Sequence, residues 1–547
     1  MRRTRIGIAQ INPTVGDLRA NTDKILHSMA KAKQRSVDLL TFPELAITGY
    51  PPEVLSSKPQ FLKQTQESLR QIIEQSWGIA VVVGFVDGPD DSYDAAAVIE
   101  DTRLVGVYHK ISLANYGELR EDRYFRSGSE CPIFHIRDID MSVTIGGDIW
   151  LQEEPAMPQA HAKAEVLVNI AATPYHAADG YSTERKLADR AANGTVIVAY
   201  NNLVGGQDEL VFEGGSLVID AEGAIVARGK HFEEDLVIAQ LGSEALTGHT
   251  TPTTSPLPTR LMEKPHRIAG VYEALVLGTK DYVRKNGFNK VVIGLSGGID
   301  SSLVATVAVD ALGARNVVGV SMPSRYSSPA SKSDAEMLAE NLGIKLKVIP
   351  IEKAFSSYLE MLADSFMNTE PNAAEENIQA RIRGNILFAL SNKFGWLVLA
   401  CSNRSETATG YTTLYGDMAG GFIPLKDVPK TMVYQLATHR NVQAGKEVIP
   451  SSVLSREPSA ELRPAHKDTD TLPPYELLDP ILRAYVEDHL PIDDIVAMGF
   501  HREVVTQVAH LVDSSEYKRR QAAPGIRITP GDYCQGRRLP ITNRFRE

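Results

Sequence analysis

The chain has 547 residues, of which 43% are hydrophobic and 23% charged, a composition typical of a folded globular protein with two or three hydrophobic cores. The net charge of −11 argues against broad electrostatic binding of nucleic acid, although a local basic patch could receive a phosphate-bearing small molecule. The three cysteines are widely spaced and form no CxxC pair, which argues against a disulfide framework or a zinc site and favours the cytoplasm.

The first half of the chain alternates between strand-like and helix-like segments. A helix is predicted at Asn21–Ala32. Strands are predicted at Arg5–Ala9, Asp38–Phe42, Trp77–Phe85, Ala96–Ile99, Ser142–Ile145, Val166–Ile170 and Val196–Tyr200. This alternation predicts an α/β fold in which helices cover buried sheets. The apolar run at the N-terminus is too short for a signal peptide, and residues 78–86 are too few to span a bilayer, so we expect no membrane role.

Residues 248–265 are rich in Pro and Thr and have no periodicity, which predicts a linker between domains at 1–247 and 266–547. After the linker, a helix is predicted at Arg267–Lys285. Short β-branched runs follow at 290–295, 316–323, 346–351 and 396–401, and each precedes a helix-like segment. This pattern predicts a doubly wound parallel sheet, in which ligands bind at the carboxyl ends of the strands.

The sharpest chemical motif is Ser296-Gly-Gly-Ile-Asp-Ser-Ser302, which lies between a predicted strand and a predicted helix. Its two glycines allow close approach of the backbone, the helix N-terminus favours an anion, and the serine hydroxyls can donate to phosphate oxygens. The loop has no lysine, so it is not a Walker A motif. A glycine turn capped by Asp300 or Ser301 is the alternative interpretation of SGG alone.

This string resembles the pyrophosphate-binding loop of the ATP-pyrophosphatases, which split ATP between its α and β phosphates and leave an adenylate. Residues 267–547 as a whole resemble the NAD⁺ synthetase family, whose fold is a doubly wound sheet of the adenine nucleotide α-hydrolase type. The strings that carry this resemblance are Met322–Ser328, Glu376–Gly384, Ser402–Phe422 and Arg456–Pro464. Other ligases that share the loop, such as GMP synthetase or asparagine synthetase, lack these later strings.

The resemblance implies roles for individual residues, with ATP and Mg²⁺ as the required ligands. Asp300 and Glu406 would coordinate Mg²⁺, which prefers carboxylate oxygens. The implied ATP-binding residues are Ser296, Gly297, Gly298, Asp300, Ser301, Ser302, Arg325 and Cys401. The residues implied to bind deamido-NAD⁺ are Asn377, Arg381, Asp417 and Lys430, and the last two would also be catalytic. In isolation, such charged residues are more often solvated surface groups.

Asn377 and Arg381 are four residues apart, so they lie on one face of a predicted helix and can hold one ligand together.

Two positions depart from the family. Cys401 stands where the family usually has threonine, and Arg404 where it usually has lysine. Arginine does not replace lysine in a tight site. The basic segments Tyr517–Gln521 and 537–546 are expected to be solvated faces by default, and the resemblance implies that they pack against the synthetase domain.

The first half resembles the nitrilase, or carbon–nitrogen hydrolase, family in the strings Thr41–Leu55, Tyr108–Phe125 and Val204–Ser216. That resemblance implies an αββα sandwich and a Glu-Lys-Cys triad that hydrolyses amides through a thioester. Glu44 and Lys110 fit the first two places. When such a domain is fused to an NAD⁺ synthetase, it would normally free ammonia from glutamine.

The third place of the triad does not fit. The family's strand followed by Cys-Glu-Asp-x-Trp stands here as Ile145-Gly-Gly-Asp-Ile-Trp150, with Gly146 in the place of the cysteine. Gly147 replaces the glutamate, and Ala171 and Thr173 depart from the usual Asn-Ala-Ser-Pro. Several changes around one pocket favour natural loss of the activity over a single trapping mutation. Cys131 is an alternative nucleophile, but it precedes a different strand and fits better as a small packed hydrophobe.

Three hypotheses follow. The leading one is an NAD⁺ synthetase that converts ATP, deamido-NAD⁺ and free ammonia into NAD⁺, AMP and pyrophosphate. The second keeps glutamine as the nitrogen donor through an unrecognised nucleophile. The third treats the N-terminal domain as a noncatalytic assembly module. All three expect a cytoplasmic homo-oligomer whose partners are small molecules and not nucleic acid or membrane.

Overall fold

The structure is a computed structural model that describes residues 4–88, 92–115, 119–151, 164–177, 182–241, 260–530, 539–542 and 544. The chain divides into two compact units, Met1–His266 and Arg267–Glu547. Most of the predicted linker, residues 248–259, lies outside the described residues. Within the described ranges, no helix is both long enough and apolar enough to cross a membrane.

The first unit contains fourteen described strands and three described α-helices. The helices are α1 (Leu18–Gln34), α2 (Pro59–Glu74) and α3 (Ser182–Gly194). The strands are β1 (Thr4–Gln10), β2 (Leu39–Thr41), β3 (Ala80–Asp87), β4 (Tyr93–Glu100), β5 (Arg103–His109), β6 (Ile133–Ile136), β7 (Ile139–Ile145), β8 (Val166–Ala171), β9 (Ile197–Asn202), β10 (Val204–Gln207), β11 (Leu210–Glu213), β12 (Leu217–Ile219), β13 (Ile225–Arg228) and β14 (Asp235–Leu241). Short 3₁₀ turns lie at Glu53–Ser57, Glu121–Arg123 and Gly146–Trp150.

Twelve of these strands form two six-stranded sheets, in the orders β14-β1-β2-β3-β4-β5 and β13-β12-β9-β8-β7-β6, and β10 and β11 form a separate hairpin. Successive side chains of a strand point to opposite faces of the sheet, and apolar residues occupy both faces of these two sheets. In β3, Val82 packs in the core between the two sheets, whereas Val81 and Val83 pack towards α1 and α2. In the second sheet, Leu167 packs with Leu187 of α3. The layers are therefore helix, sheet, sheet and helix, which confirms the predicted αββα sandwich.

The second unit is built on four parallel strands, β15 (Val291–Gly294), β16 (Val317–Ser321), β17 (Lys345–Val348) and β18 (Leu397–Leu399), in the order β17-β16-β15-β18. The chain therefore moves from β15 to one side for two strands and then returns to the other side for β18. The connections diverge between β15 and β18, and this switch point is where doubly wound sheets bind ligands. The predicted doubly wound parallel sheet is confirmed.

The helices of the second unit cover this sheet and extend beyond it. They are α4 (Arg267–Lys285), α5 (Ile299–Leu312), α6 (Pro329–Leu342), α7 (Glu352–Leu362), α8 (Ala373–Phe394), α9 (Arg404–Thr409), α10 (Lys430–Ala444), α11 (Ser451–Ser455), α12 (Tyr475–Leu482), α13 (Ile492–Ala497), α14 (Arg502–Ser514) and α15 (Glu516–Arg519). Short turns of 3₁₀ or π-helix lie at Ala314–Asn316, Asp468–Asp470 and Arg483–Glu487. An apolar cluster built mainly from α12, α13 and α14 packs beside α9.

Some predicted boundaries differ from the structure. The strand predicted from Trp77 begins at Ala80, because Gly78 adopts a φ of +78° in a turn that leaves Trp77 75% exposed. Helix α1 begins before the predicted Asn21, because the side chain of Asp17 accepts a hydrogen bond from Ala20 N and caps the helix at Leu18.

A close approach of β3 to the segment around Glu44 gives a testable consequence. A Cβ at Gly84 would lie 2.3 Å from Leu45 N and 2.5 Å from Pro43 O. We expect Gly84→Ala to lower the free energy of unfolding by about 1–3 kcal/mol, because backbone atoms cannot move aside as a flexible side chain can. The control is Gly147→Ala, whose new Cβ would meet only Ser112 Oγ, at 4.0 Å. Calorimetric melting of the full chain measures both variants, and equal transitions would contradict the packing argument.

Candidate active sites of the two units

A cavity of about 310 Å³ lies in the second unit at the carboxyl ends of β15 and β18, at the switch point. Nine of the residues singled out in the sequence line it: Ser296, Gly297, Gly298, Asp300, Ser301, Cys401, Glu406, Asp417 and Lys430. Ser302, Arg325, Asn377 and Arg381 are not among the lining residues. The structure therefore brings most of the predicted site to one cleft.

The glycine loop between β15 and α5 forms one wall of this cleft. Gly297 has a φ of +80°, and a Cβ there would lie 2.1 Å from Ser331 O, so only glycine fits. Ser301 Oγ accepts a hydrogen bond from Ser296 N and lies 3.1 Å from Ser296 Oγ, which folds the loop over the start of α5. Ser302 Oγ turns back and donates to Gly298 O at 2.8 Å. The loop thus leaves the N-terminus of α5 open to the cleft.

Lys430 bridges two carboxylates on the floor of the cleft. Its Nζ donates to Asp300 Oδ2 at 2.5 Å and lies 3.4 Å from Glu406 Oε1. The pKa of Glu406 is raised to about 8, because burial and, to a smaller extent, the charge of Asp300 outweigh the lowering effect of Lys430. Burial lowers the pKa of Lys430, but Asp300 and Glu406 outweigh it and hold the pKa above its usual value. Lys430 therefore lies between two acids, and burial disfavours the ionised form of one of them, Glu406.

Asp417 lies in the same cleft and is tied to α8 through Thr413. Thr413 N donates to Asp417 Oδ1 at 2.7 Å, and Thr413 Oγ1 donates to Asn377 Oδ1 at 2.7 Å. Burial raises the pKa of Asp417 to about 6. Arg381, on the same helix, donates from Nε to Leu414 O at 3.2 Å and lines a second cavity of about 540 Å³.

Two other arginines that the sequence analysis singled out, Arg325 and Arg404, bind carboxylates of the protein and do not line the main cleft. Arg325 is exposed, forms a salt bridge with Glu352 and stacks over the ring of Phe355. Arg404 is buried, with its guanidinium 2.7 Å from Glu487 Oε1 and 3.8 Å from Asp427 Oδ1. Arg404 therefore has carboxylate partners within its own unit.

The basic segment Tyr517–Gln521 also binds protein groups. Lys518 Nζ donates to Gly410 O and Thr412 O, and Arg519 donates to Ala408 O. These contacts hold the segment against the carbonyls around the end of α9. Residues 537, 538, 543, 545 and 546 of the second basic segment lie outside the described part of the chain.

The sequence analysis assigned no role to Arg383. This side chain lines the main cleft and donates from Nε to Met322 O at 3.1 Å. Burial lowers its pKa to about 10, and among the described residues Glu461 and Asp417 oppose this only from beyond salt-bridge distance. Its position, two residues after Arg381 in the same string, was the available signal. The four-residue spacing from Asn377 instead favoured Arg381, which lies on another face of the helix.

The first unit contains a second candidate site around Lys110, which follows β5. Lys110 Nζ donates to Glu44 Oε1 at 2.5 Å and to Glu121 Oε1 at 2.9 Å, and lies 3.5 Å from Asp94 Oδ2. None of these four side chains is more than 4% exposed. Burial lowers the pKa of Lys110, but the three acids, Glu44 first, outweigh it and raise the pKa well above its usual value. The sequence analysis identified Glu44 and Lys110 but not the other two acids, Asp94 and Glu121.

Gly146 faces this group from the end of β7. It has a φ of +52°, and a Cβ there would lie 3.2 Å from both Glu44 Oε2 and Lys110 Nζ. Asp148 holds the turn in place, since its carboxylate accepts hydrogen bonds from Ile111 N, Ser112 N and Tyr108 OH. Any side chain at position 146 would therefore point directly at the Glu44–Lys110 pair.

Of the remaining positions noted in the sequence, the segment Ala171–Thr173 contacts the Glu44 side chain, whereas Cys131 lies near the edge of its sheet. Ala172 N, between Ala171 and Thr173, donates to Glu44 Oε2 at 2.7 Å. Cys131 is half-buried and lies two residues before β6, the edge strand of its sheet.

Each of the two units matches a known protein family. Residues 5–248 match the carbon–nitrogen hydrolase family, and residues 271–522 match the NAD synthase family. The chain is 45% identical to the glutamine-dependent NAD(+) synthetase of Thermotoga maritima, over 100% of both chains. It is also 45% identical to the enzyme of that name from Aquifex aeolicus, over 98% of this chain and 99% of the relative.

The same relationship holds among solved structures. A glutamine-dependent NAD+ synthetase from Acinetobacter baumannii, solved with adenosine diphosphate, is 38% identical, with a TM-score of 0.78 and coverage of 99% of each chain. Full-length similarity at this level shows that the chain belongs to the NAD(+) synthetase family of ligases, with a carbon–nitrogen hydrolase domain before the synthetase domain.

Proposed function

We propose that this NAD(+) synthetase takes its nitrogen from free ammonia and couples amidation of deamido-NAD⁺ to cleavage of ATP into AMP and pyrophosphate. The observation that carries the choice of donor is Gly146. The point that faces both Glu44 Oε2 and Lys110 Nζ, 3.2 Å from each, belongs to a residue without a side chain. The amidase chemistry of that pocket needs a nucleophile there.

The glycine loop of the second unit suits the phosphates of ATP. The N-terminus of α5 directs free N–H groups and a positive dipole end at the cleft, and Gly297 lets the backbone approach a ligand closely. Ser296 and Ser301 add hydroxyls beside the same loop. Together these groups favour a chain of phosphate oxygens over a neutral ligand.

Mg²⁺ fits the acids on the cleft floor. Asp300 and Glu406 offer only oxygen ligands, and a cation beside them would offset the burial that raises the pKa of Glu406 to about 8. When bound, the ion supplies charge neutralisation for pyrophosphate. Lys430 is placed to add a fixed positive charge beside it.

The reaction then needs two displacements in this cleft. The nicotinate carboxylate attacks the α phosphorus, the bond to the β-phosphate oxygen breaks, and pyrophosphate leaves. Ammonia next attacks the carboxyl carbon of the adenylate, AMP leaves, and the nitrogen loses a proton. Asp417, buried in the cleft with a pKa of about 6, is suited to accept that proton near neutral pH.

Glutamine as donor is the second candidate, because the relatives that the chain matches are named glutamine-dependent. It would require a nucleophile other than residue 146. Water activated by Glu44 would lack covalent catalysis, and Cys131 is the nearest alternative that the sequence offers. If glutamine is the donor, as in the names of these relatives, the nitrogen-source assay described below gives comparable rates with glutamine and with ammonium.

Arg383 gives a prediction about the synthetase cleft. We expect Arg383→Gln to lower kcat/KM for NAD⁺ formation about 10- to 150-fold, equivalent to about 1.5–3 kcal/mol, because no carboxylate among the described residues forms a salt bridge with this buried guanidinium, which suits it to an anionic substrate group. Arg483→Gln is the matched control, since Arg483 is 65% exposed and forms a salt bridge with Asp488. Steady-state kinetics with saturating ammonium measures both variants, and equal values would remove Arg383 from the substrate site.

The nitrogen source is tested directly with the purified full chain. We expect ammonium to support NAD⁺ formation, and glutamine in ammonia-free buffer to support a rate at least about 10²-fold lower, because no thioester can form at Gly146. Comparable rates with the two donors would overturn the proposal. In that event, Cys131→Ser decides whether Cys131 is the nucleophile, since it would abolish only the glutamine-driven rate.

A further inference from the structure

The start of helix α10 determines where the ammonium group of Lys430 lies, because Lys430 is the first residue of that helix. The residue before it is Pro429, whose side chain has no polar atom to cap the helix. Lys430 N donates instead to Ser405 Oγ of α9, at 2.9 Å. Thr431 N donates to Asp479 Oδ2 of α12, also at 2.9 Å. Side chains from two other helices therefore hold the start of α10.

Asp479 connects the helix that carries Lys430 to the helix that carries Glu406. Its side chain belongs to a residue that is only 7% exposed. Oδ2 accepts a second hydrogen bond from Thr431 Oγ1 at 2.7 Å, and Oδ1 accepts one from Ser405 Oγ at 2.5 Å. Ser405 directly precedes Glu406 in α9. One buried carboxylate therefore ties the backbone beside Glu406 to the backbone beside Lys430.

Helix α12 also contacts the side chain of Lys430. Tyr475 lies four residues before Asp479 and therefore on the same face of α12. Lys430 Nζ lies 5.4 Å from the centroid of the Tyr475 ring. The ring is itself held, because Tyr475 OH donates to Asp468 Oδ2 at 2.8 Å. One face of α12 thus supports both the backbone and the side chain of Lys430.

The position of Lys430 matters because its ammonium group lies between carboxylates on two different helices. It lies 2.5 Å from Asp300 Oδ2 on α5 and 3.4 Å from Glu406 Oε1 on α9. The ammonium group is a point charge on a flexible stem, so its place depends on how these helices and α10 are spaced. A displacement of about 1 Å in an active site can cost about 10²-fold in rate.

We propose that Asp479 is a positioning residue for the synthetase reaction, which holds Lys430 and Glu406 in register through Ser405 and Thr431. Asp479 is not among the residues that line the cleft, so it acts only through these neighbours. The inference rests on the proposed function, because that function assigns Lys430 and Glu406 to the phosphates and the metal of the ATP site.

The first test is steady-state kinetics of the full chain with saturating ammonium. We expect Asp479→Asn to lower kcat about 10- to 100-fold and to change KM for ATP less than about threefold, because Lys430 acts on charge that develops as pyrophosphate leaves. The amide has one acceptor oxygen in place of two, so it cannot keep all three hydrogen bonds. A kcat within about threefold of the wild-type value overturns the inference.

Asp310→Asn is the matched control. Asp310 accepts hydrogen bonds from Tyr272 OH and from Arg440 Nε, and it therefore ties α10 to its neighbours at the end away from Lys430. We expect this variant to melt at a lower temperature, as followed by circular dichroism, and to keep its kcat. An equal loss of kcat in the two variants would show that any weakened support of α10 has the same effect, which contradicts a specific role of Asp479.

A milder pair of variants keeps the inference testable if Asp479→Asn does not fold. Thr431→Val removes the hydroxyl that donates to Asp479, whereas Thr431→Ser retains it. We expect the valine variant to lose about 3- to 10-fold in kcat and the serine variant to stay near the wild type. Equal kcat values for the two variants contradict the inference.

A double-mutant cycle with Lys430→Met separates this inference from the proposed function. If Asp479 acts through Lys430, adding Asp479→Asn to Lys430→Met lowers the remaining single-turnover rate less than about threefold, whereas independent roles give the full additional loss. A wild-type rate in Lys430→Met contradicts the role of Lys430 in the proposed function and this inference with it. Loss of activity in Lys430→Met beside a normal kcat in Asp479→Asn contradicts this inference alone.

Discussion

A buried lysine between carboxylates organises the candidate site in each unit. Lys430 bridges Asp300 and Glu406 in the synthetase unit, and Lys110 bridges Glu44 and Glu121 in the other. Removing charges from water costs several kcal/mol per ion, so such a group persists only where opposite charges and hydrogen bonds compensate it. In each unit, at least two acids contact one buried lysine.

The two sites differ in what faces the lysine. Lys430 lies at a switch point of a parallel sheet, beside a glycine loop and a helix N-terminus, where a polyanionic substrate meets complementary charge. Lys110 lies in a pocket without such a loop, and the residue directed at it is Gly146. The first arrangement suits phosphate chemistry. In the second, a buried acid pairs with a buried lysine, and the described residue that faces this pair, Gly146, has no side chain.

Much of the fold was readable from the sequence because apolar runs and their spacing report burial directly. Helix α4 was predicted with the observed bounds, and the strand before Ser296 led to the parallel sheet. Edge strands such as β5 were missed, because Leu104 and Val105 are each 45% exposed and give no buried pattern. The position of Asp17 as a helix cap also depends on local geometry more than on periodicity.

The residues of the two sites were predictable only where a motif carried them. Asp300 and Glu406 belong to family strings, Lys430 matches a single family position, and all three meet in one cleft. Asp94 lies outside these strings. Glu121 and Arg383 lie within them, but only their contacts in the structure place them at the sites, such as the 2.9 Å bond between Lys110 and Glu121. Arg381 and Arg383 are two residues apart in one helix, and only the packing of α8 decides which of them lines the cleft.

The central claim is that no nitrogen passes from glutamine to NAD⁺ through the first unit. The most direct measurement is isotopic: NAD⁺ synthesised from glutamine labelled with ¹⁵N in its side-chain amide, in the presence of an equal concentration of unlabelled ammonium, and analysed by mass spectrometry. The account predicts NAD⁺ whose carboxamide nitrogen is unlabelled. Carboxamide that carries the heavy isotope at a substantial fraction would contradict it and would show that the first unit still releases ammonia from glutamine.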